Sequence, residues 1–261
     1  MNKIYKKNEV TFAVILIVIY VVGTSLAETV SPNFGSAKLI PCIFHVVFSA
    51  ILLIWIKKND LFEKYGLVFP KYRLSKVWFF IPLIIVAFFG MLPGIKVRYS
   101  AVETLLFVIS MLCVGFLEEI IFRGFLFVGM ARKNIRAAII VSSVTFGIGH
   151  IVNLLNGKAL IETLIQIVFA IAVGFTLVIL FYRGKSILPC IAFHGLNNAL
   201  SAFEMSNEEV SLMLSVDVSK FELIFVTFLV VVLVVYSLYL LKNFNRSEGT
   251  NGDKDITDSK R

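Results

Sequence analysis

The chain has 261 residues, 58% of them hydrophobic, with a mean hydropathy of +0.89 and a net charge of +8. A soluble domain has nowhere to bury that much apolar surface, so the composition describes a polytopic membrane protein. The 25 Phe, the few Pro and the lack of ten-residue alternation exclude a barrel and point to an all-α bundle. The positive charge does not suggest nucleic acid, because it collects at the ends of apolar runs.

In chain order, Lys3, Lys6 and Lys7 precede a first apolar run over about 10–27. It is too long for a signal-peptide core and no Ala-x-Ala site follows, so it reads as a retained span. A turn with Pro32, Asn33 and Gly35 leads to a second span at about 39–56. Residues 57–67 are basic, amphipathic and too short to cross, which predicts an interfacial segment. A third span at 77–92 ends at Pro93-Gly94, and the fourth, at 101–130, is long enough to tilt, kink or protrude. The fifth runs 137–155 and the sixth 160–182. The seventh runs 187–203, with Pro189 in its first turn. An acidic loop with Glu204, Glu208, Glu209 and Asp217 precedes the eighth span, 221–241. Solvation of a turn accounts for that loop.

Residues 1–242 therefore read as one transmembrane domain of about eight helices, and 243–261 as a disordered polar tail. With both termini inside, the inner segments carry 19 Lys and Arg against five outside. That bias predicts a multi-pass protein of a plasma membrane with both termini cytoplasmic. The abundance of Lys, Asn and Ile hints at a low-GC bacterial source. Cys42, Cys113 and Cys190 stand singly in apolar segments and read as free thiols.

Chemistry concentrates at 115–124, Gly-Phe-Leu-Glu-Glu-Ile-Ile-Phe-Arg-Gly. Each charge in hydrocarbon costs at least about 2.5 kcal/mol, so Glu118, Glu119 and Arg123 together need a reason. Glu119 and Arg123 are four apart and share a helix face, where they can pair. Glu118 lies about 100° round the helix and faces something else. A structural ion pair explains Glu119 and Arg123 but leaves Glu118 idle.

Two of the three histidines stand in comparable runs, Phe146-Gly-Ile-Gly-His150 and His194-Gly-Leu-Asn-Asn198. At 1.5 Å per residue from the cytoplasmic ends, Glu118, His150 and His194 lie about 18, 20 and 10 Å deep. Helix tilt absorbs that spread. Gly147, Gly149 and Gly195 let helices approach or water enter around them. A carboxylate, two imidazoles and the Asn198 amide are the parts of a hydrolytic site, with a base for water and donors for an oxyanion. Two His and one Glu are also the ligand types of a catalytic zinc site held by Glu118, His150 and His194. The spacing is not that of HExxH zincins. His45 has no polar neighbour at helical spacing and reads as an interhelical hydrogen-bond partner.

These three motifs, EExxxR at 118–123, FxxxH at 146–150 and HxxxN at 194–198, resemble the CPBP family. That family comprises the CAAX prenyl endopeptidases and the bacteriocin-processing and immunity membrane proteases. The resemblance covers about 101–203. It implies an intramembrane endopeptidase in which Glu118 and His150 activate water and His194 and Asn198 stabilise the oxyanion. Glu119 and Arg123 would brace the helix. It leaves open whether zinc or a metal-free glutamate does the work. The implied substrate is a membrane-associated peptide or protein: a leader peptide, pheromone precursor, bacteriocin or CAAX-like tail. Two other readings remain, a non-proteolytic immunity or scaffold protein and a transporter. No inverted repeat of broken helices supports the transporter.

Overall fold

In hydrocarbon the backbone has no water to satisfy its N–H and C=O groups, and a helix satisfies them within itself. The computed structural model follows that rule; it describes residues 1–70, 80–154 and 157–243. The helices are α1 (Asn2–Lys7), α2 (Glu9–Val30), α3 (Leu39–Lys58), α4 (Ile81–Phe89) and α5 (Ala101–Glu118). Helix α5 runs on through π-helical turns, Glu119–Phe127, into α6 (Val128–Ala131). Then come α7 (Ile135–Gly149), α8 (Leu160–Gly184), α9 (Leu188–Leu200), α10 (Asn207–Leu214) and α11 (Val218–Asn243). Among the described residues there is no strand, only an isolated bridge between Ile95 and Glu204.

Among the described residues six helical stretches are long and apolar enough to cross a membrane: Glu9–Phe34, Leu39–Lys58, Ala101–Ala131, Ile135–Leu154, Leu160–Gly184 and Glu222–Asn243. The expected third and seventh spans form the shorter helices α4 and α9. Residues 71–79, which lead into α4, lie outside the described residues, as does the expected tail from 244 onward. The interfacial segment expected at 57–67 begins as the last turn of α3. It continues as turns that dock on the bundle. Tyr65 there is fully buried, its ring 4.7 Å from that of Phe125, and the Gly66 carbonyl accepts from the Ile187 N–H at 2.8 Å.

Several helix starts follow from their caps. Asn8, Ser100 and Asn134 accept from the backbone N–H groups of Thr11, Glu103 and Ala137, satisfying donors the first turn leaves over. Packing is closest where side chains vanish. A Cβ on Gly115 would stand 2.4 Å from the Gly195 nitrogen, so α5 and α9 touch backbone to backbone. A Cβ on Gly147 would stand 2.9 Å from the Ile167 carbonyl of α8. Helices α8 and α11 share a hydrogen bond between Thr176 and Ser237 at 2.8 Å. In the acidic loop, Ser206 and Glu209 form a capping box on α10, and Glu209 also pairs with Lys96. Burial pushes the Glu204 carboxyl up from its usual range, opposed by the charge of Arg98.

Candidate active site

The site is built where α5 gives way to its π-helical continuation. Glu118 is the last residue of α5, Glu119 the first of the π segment, and all nine residues from Glu119 to Phe127 are buried. Turns of this kind are rare and recur at functional sites. Here the wider turn begins at the second carboxylate.

Four charged or ionisable side chains converge. Glu118 is 9% exposed, His194 6%, and Glu119 and Arg123 not at all. The Tyr20 hydroxyl of α2 donates to Glu118 Oε1 at 2.7 Å. On the other side, His194 Nε2 of α9 stands 3.1 Å from Glu118 Oε2. That imidazole edge is the polar group beside Oε2, which accepts no well-aligned hydrogen bond among the described residues. His194 Nδ1 lies 2.8 Å from Glu119 Oε1, which is also 3.0 Å from Arg123 Nη1. The guanidinium carbon sits 4.1 Å from the centre of the Phe146 ring, in cation–π range. A continuous polar chain thus runs from Tyr20 through Glu118, His194 and Glu119 to Arg123, through a wall of apolar side chains.

The sequence-predicted residues fall into two groups. Glu118, Glu119, Arg123 and His194 are in direct contact. His150 stands one ring away: Phe146 lies edge-on to His150 at 5.6 Å and to His194 at 5.5 Å. His150 interacts electrostatically with Glu118 without a hydrogen bond to it. It is also the residue where α7 ends and a 3-10 turn, His150–Leu154, begins. Asn198 lies one turn beyond His194, and its side-chain oxygen accepts from Asn197 at 3.5 Å. Among the described residues no hydrogen bond joins Asn198 to His194 or Glu118. The imidazole facing Glu118 is therefore that of His194, which the motif comparison places at the oxyanion.

Sequence reasoning missed Tyr20. The available signal was a phenol in mid-span, whose hydroxyl needs a partner when buried. His45 behaves as expected of an interhelical bridge. Its Nε2 lies 3.0 Å from Thr24 Oγ1 of α2, and its Nδ1 lies 2.8 Å from Ser110 Oγ of α5.

As for a metal, Glu118 Oε2 and His194 Nε2 face each other, and Glu119 on Nδ1 resembles the partner that orients a metal-bound imidazole. Among the described residues, however, no three His, Cys, Asp or Glu side chains converge as a ligand set. His150 does not complete one, so the residues as arranged do not fit a three-ligand zinc centre, and no step is derived through it.

The glycines give a local prediction. Gly115→Ala forces α5 off the backbone of α9 and is expected to lower the melting temperature and cleavage together. A Cβ at Gly149 meets nothing within 4 Å, so Gly149→Ala should leave stability within about 0.5 kcal/mol. Thermal melts of the two variants in detergent check both.

Residues 100–200 match the family described as type II CAAX prenyl endopeptidase, Rce1-like. This interval holds both carboxylates, Arg123, both site histidines and Asn198, and it stops short of Tyr20 and His45. No curated protein and no solved structure was found to match the chain.

Proposed function

Through residues 100–200 the chain belongs to the CPBP family of intramembrane proteases, and on that premise we propose that it hydrolyses a peptide bond of a membrane-associated peptide or protein. The observation that carries this reading is Glu118. It is a buried carboxylate with Oε1 held by Tyr20 and Oε2 left as an acceptor beside an imidazole. A structural ion pair does not require that arrangement, whereas a general base does.

In this mechanism Glu118 Oε2 takes a proton from water as the water oxygen bonds to the scissile carbonyl carbon. His194, fixed through Nδ1 by Glu119, holds its Nε2 edge toward the reacting atoms and steadies the negative charge. His150, at the open end of α7, contributes a second imidazole on the substrate side, and Asn198 a carboxamide donor. As the C–N bond breaks, the proton on Glu118 passes to the amine nitrogen, leaving a carboxylic acid and an amine. Arg123 and Glu119 hold the π-helical turn and set the orientation of His194.

We also place both termini on the cytoplasmic side of a bacterial plasma membrane, as the 19-to-5 distribution of Lys and Arg supports. Helices α4 and α9 count as the two further embedded helices of an eight-helix bundle. The docked turns of residues 59–67 then lie at the cytoplasmic interface. Leader peptides, pheromone or bacteriocin precursors and lipidated tails are the substrate class.

The test is incubation of purified protein in proteoliposomes with a pool of leader and lipidated peptides, read by mass spectrometry. The wild type is expected to cleave, and His194→Ala and His150→Ala to lose cleavage. Activity is expected to survive a chelator. Loss on chelation, restored by zinc, would instead support a metal held by Glu118, His150 and His194. A wild type that cleaves no member of the pool counts against the proteolytic reading.

A further inference from the structure

Helix α2 lies wholly outside the family-matched interval, yet it brings Tyr20 to the site. Along α2, Phe12 packs edge-on against Phe125 at 5.3 Å and Tyr20 meets Glu118 at 2.7 Å. Thr24 then reaches Ser110 through His45. The residue numbers rise on α2 as they fall along α5 and its continuation, so the two run antiparallel in a fixed register. That register sets Tyr20 opposite Glu118. Tyr20 and Thr24 are one turn apart on one face. Gly23 between them lets α3 close in, since a Cβ there would stand 2.3 Å from the Phe44 ring. Tyr20 is 7% exposed, His45 1% and Ser110 2%, so the Tyr20–Glu118 and His45–Ser110 bonds form where water does not compete.

We propose that Tyr20 is a positioning residue for the hydrolytic site: it holds one oxygen of Glu118 so that the other faces the reacting water, and the Thr24–His45–Ser110 bridge keeps α2 in the register that makes this possible. The inference rests on the proteolytic reading above. Two features support it. The hydroxyl donates to Oε1 and not to the oxygen beside His194. With Oε1 fixed from α2 and the carboxylate flanked from α9, Glu118 is confined from two sides. Preorganisation of this kind acts on the catalytic step more than on substrate binding.

Two measurements on the full chain in detergent test it. The first does not depend on activity: in protein labelled with ring-¹³C tyrosine, the Tyr20 signal, identified by its loss in Tyr20→Phe, is expected to move in Glu118→Gln. The second is kinetic. Tyr20→Phe is expected to lower kcat about ten-fold or more, the scale of one hydrogen bond to a charged group, with KM within about two-fold. Thr24→Val, which loosens the bridge without touching Glu118, is expected to lower kcat less. A Tyr20 signal indifferent to Glu118→Gln overturns the proposal whatever the kinetics. A Tyr20→Phe enzyme with wild-type kcat, or with a raised KM and unchanged kcat, overturns it while leaving the proteolytic reading intact. If Glu118→Gln itself cleaves like the wild type, the site reading falls, and the positioning role falls with it.

Discussion

Arg123→Met is expected to destabilise the folded protein by about 3–5 kcal/mol, the cost of leaving one member of a buried pair uncompensated. Both Arg123 and Glu119 are fully buried, and they stand 3.0 Å apart in a segment where every neighbour is buried too. Removing the guanidinium also strips the cation from the face of Phe146, against which both histidines stand. The readout is a thermal melt in detergent, with a fall on the order of 10 °C. The double variant Glu119→Leu/Arg123→Met separates structure from chemistry. With the charge pair replaced by apolar bulk, most of the stability should return. Cleavage should not return, because His194 Nδ1 has lost the carboxylate that orients it. A single variant that melts with the wild type would show that the pair does not hold the π-helical turn.

Glu118→Gln is expected to lower kcat by about a hundred- to ten-thousand-fold, the range lost with a general base. The carboxamide is nearly isosteric, and its oxygen still accepts from the Tyr20 hydroxyl, so folding has little reason to suffer. It cannot take a proton from water at neutral pH. The same substitution is mild if Glu118 serves only to pack helices, since a neutral amide is easier to bury than a carboxylate. Activity and stability therefore part company under the hydrolytic reading and stay together under a scaffold reading.

Much of this site was legible in the sequence because it depends on local spacing. A spacing of four puts Glu119 and Arg123 in reach of each other on one helix face, and the ion pair is there. Glu118, one residue earlier, was left facing elsewhere, and it meets α2 and α9. The glycines at 115, 147 and 195 stand at close helix contacts, whereas Gly149 faces open space. The features that escaped are those that only tertiary packing decides. Nothing in the run 119–127 distinguishes π-helical from α-helical turns, since that pattern of apolar residues suits either. Tyr20 is one aromatic among many until the register of α2 sets it against Glu118. Which imidazole faces the carboxylate depends on how α7 and α9 end. Because α7 stops at Gly149, His150 is carried on a 3-10 turn while His194 remains inside a helix. Among the described residues α4 and α9 are shorter than a crossing needs on its own, and six stretches qualify where eight were expected.

The measurement that bears most directly on the central claim compares wild type and Glu118→Gln, reconstituted at equal amounts in the same proteoliposomes with one cleaved peptide. Melting is recorded on the same samples. The account predicts two proteins that melt within a few degrees of each other, only one of which yields product. A folded Glu118→Gln variant that cleaves at the wild-type rate would contradict it.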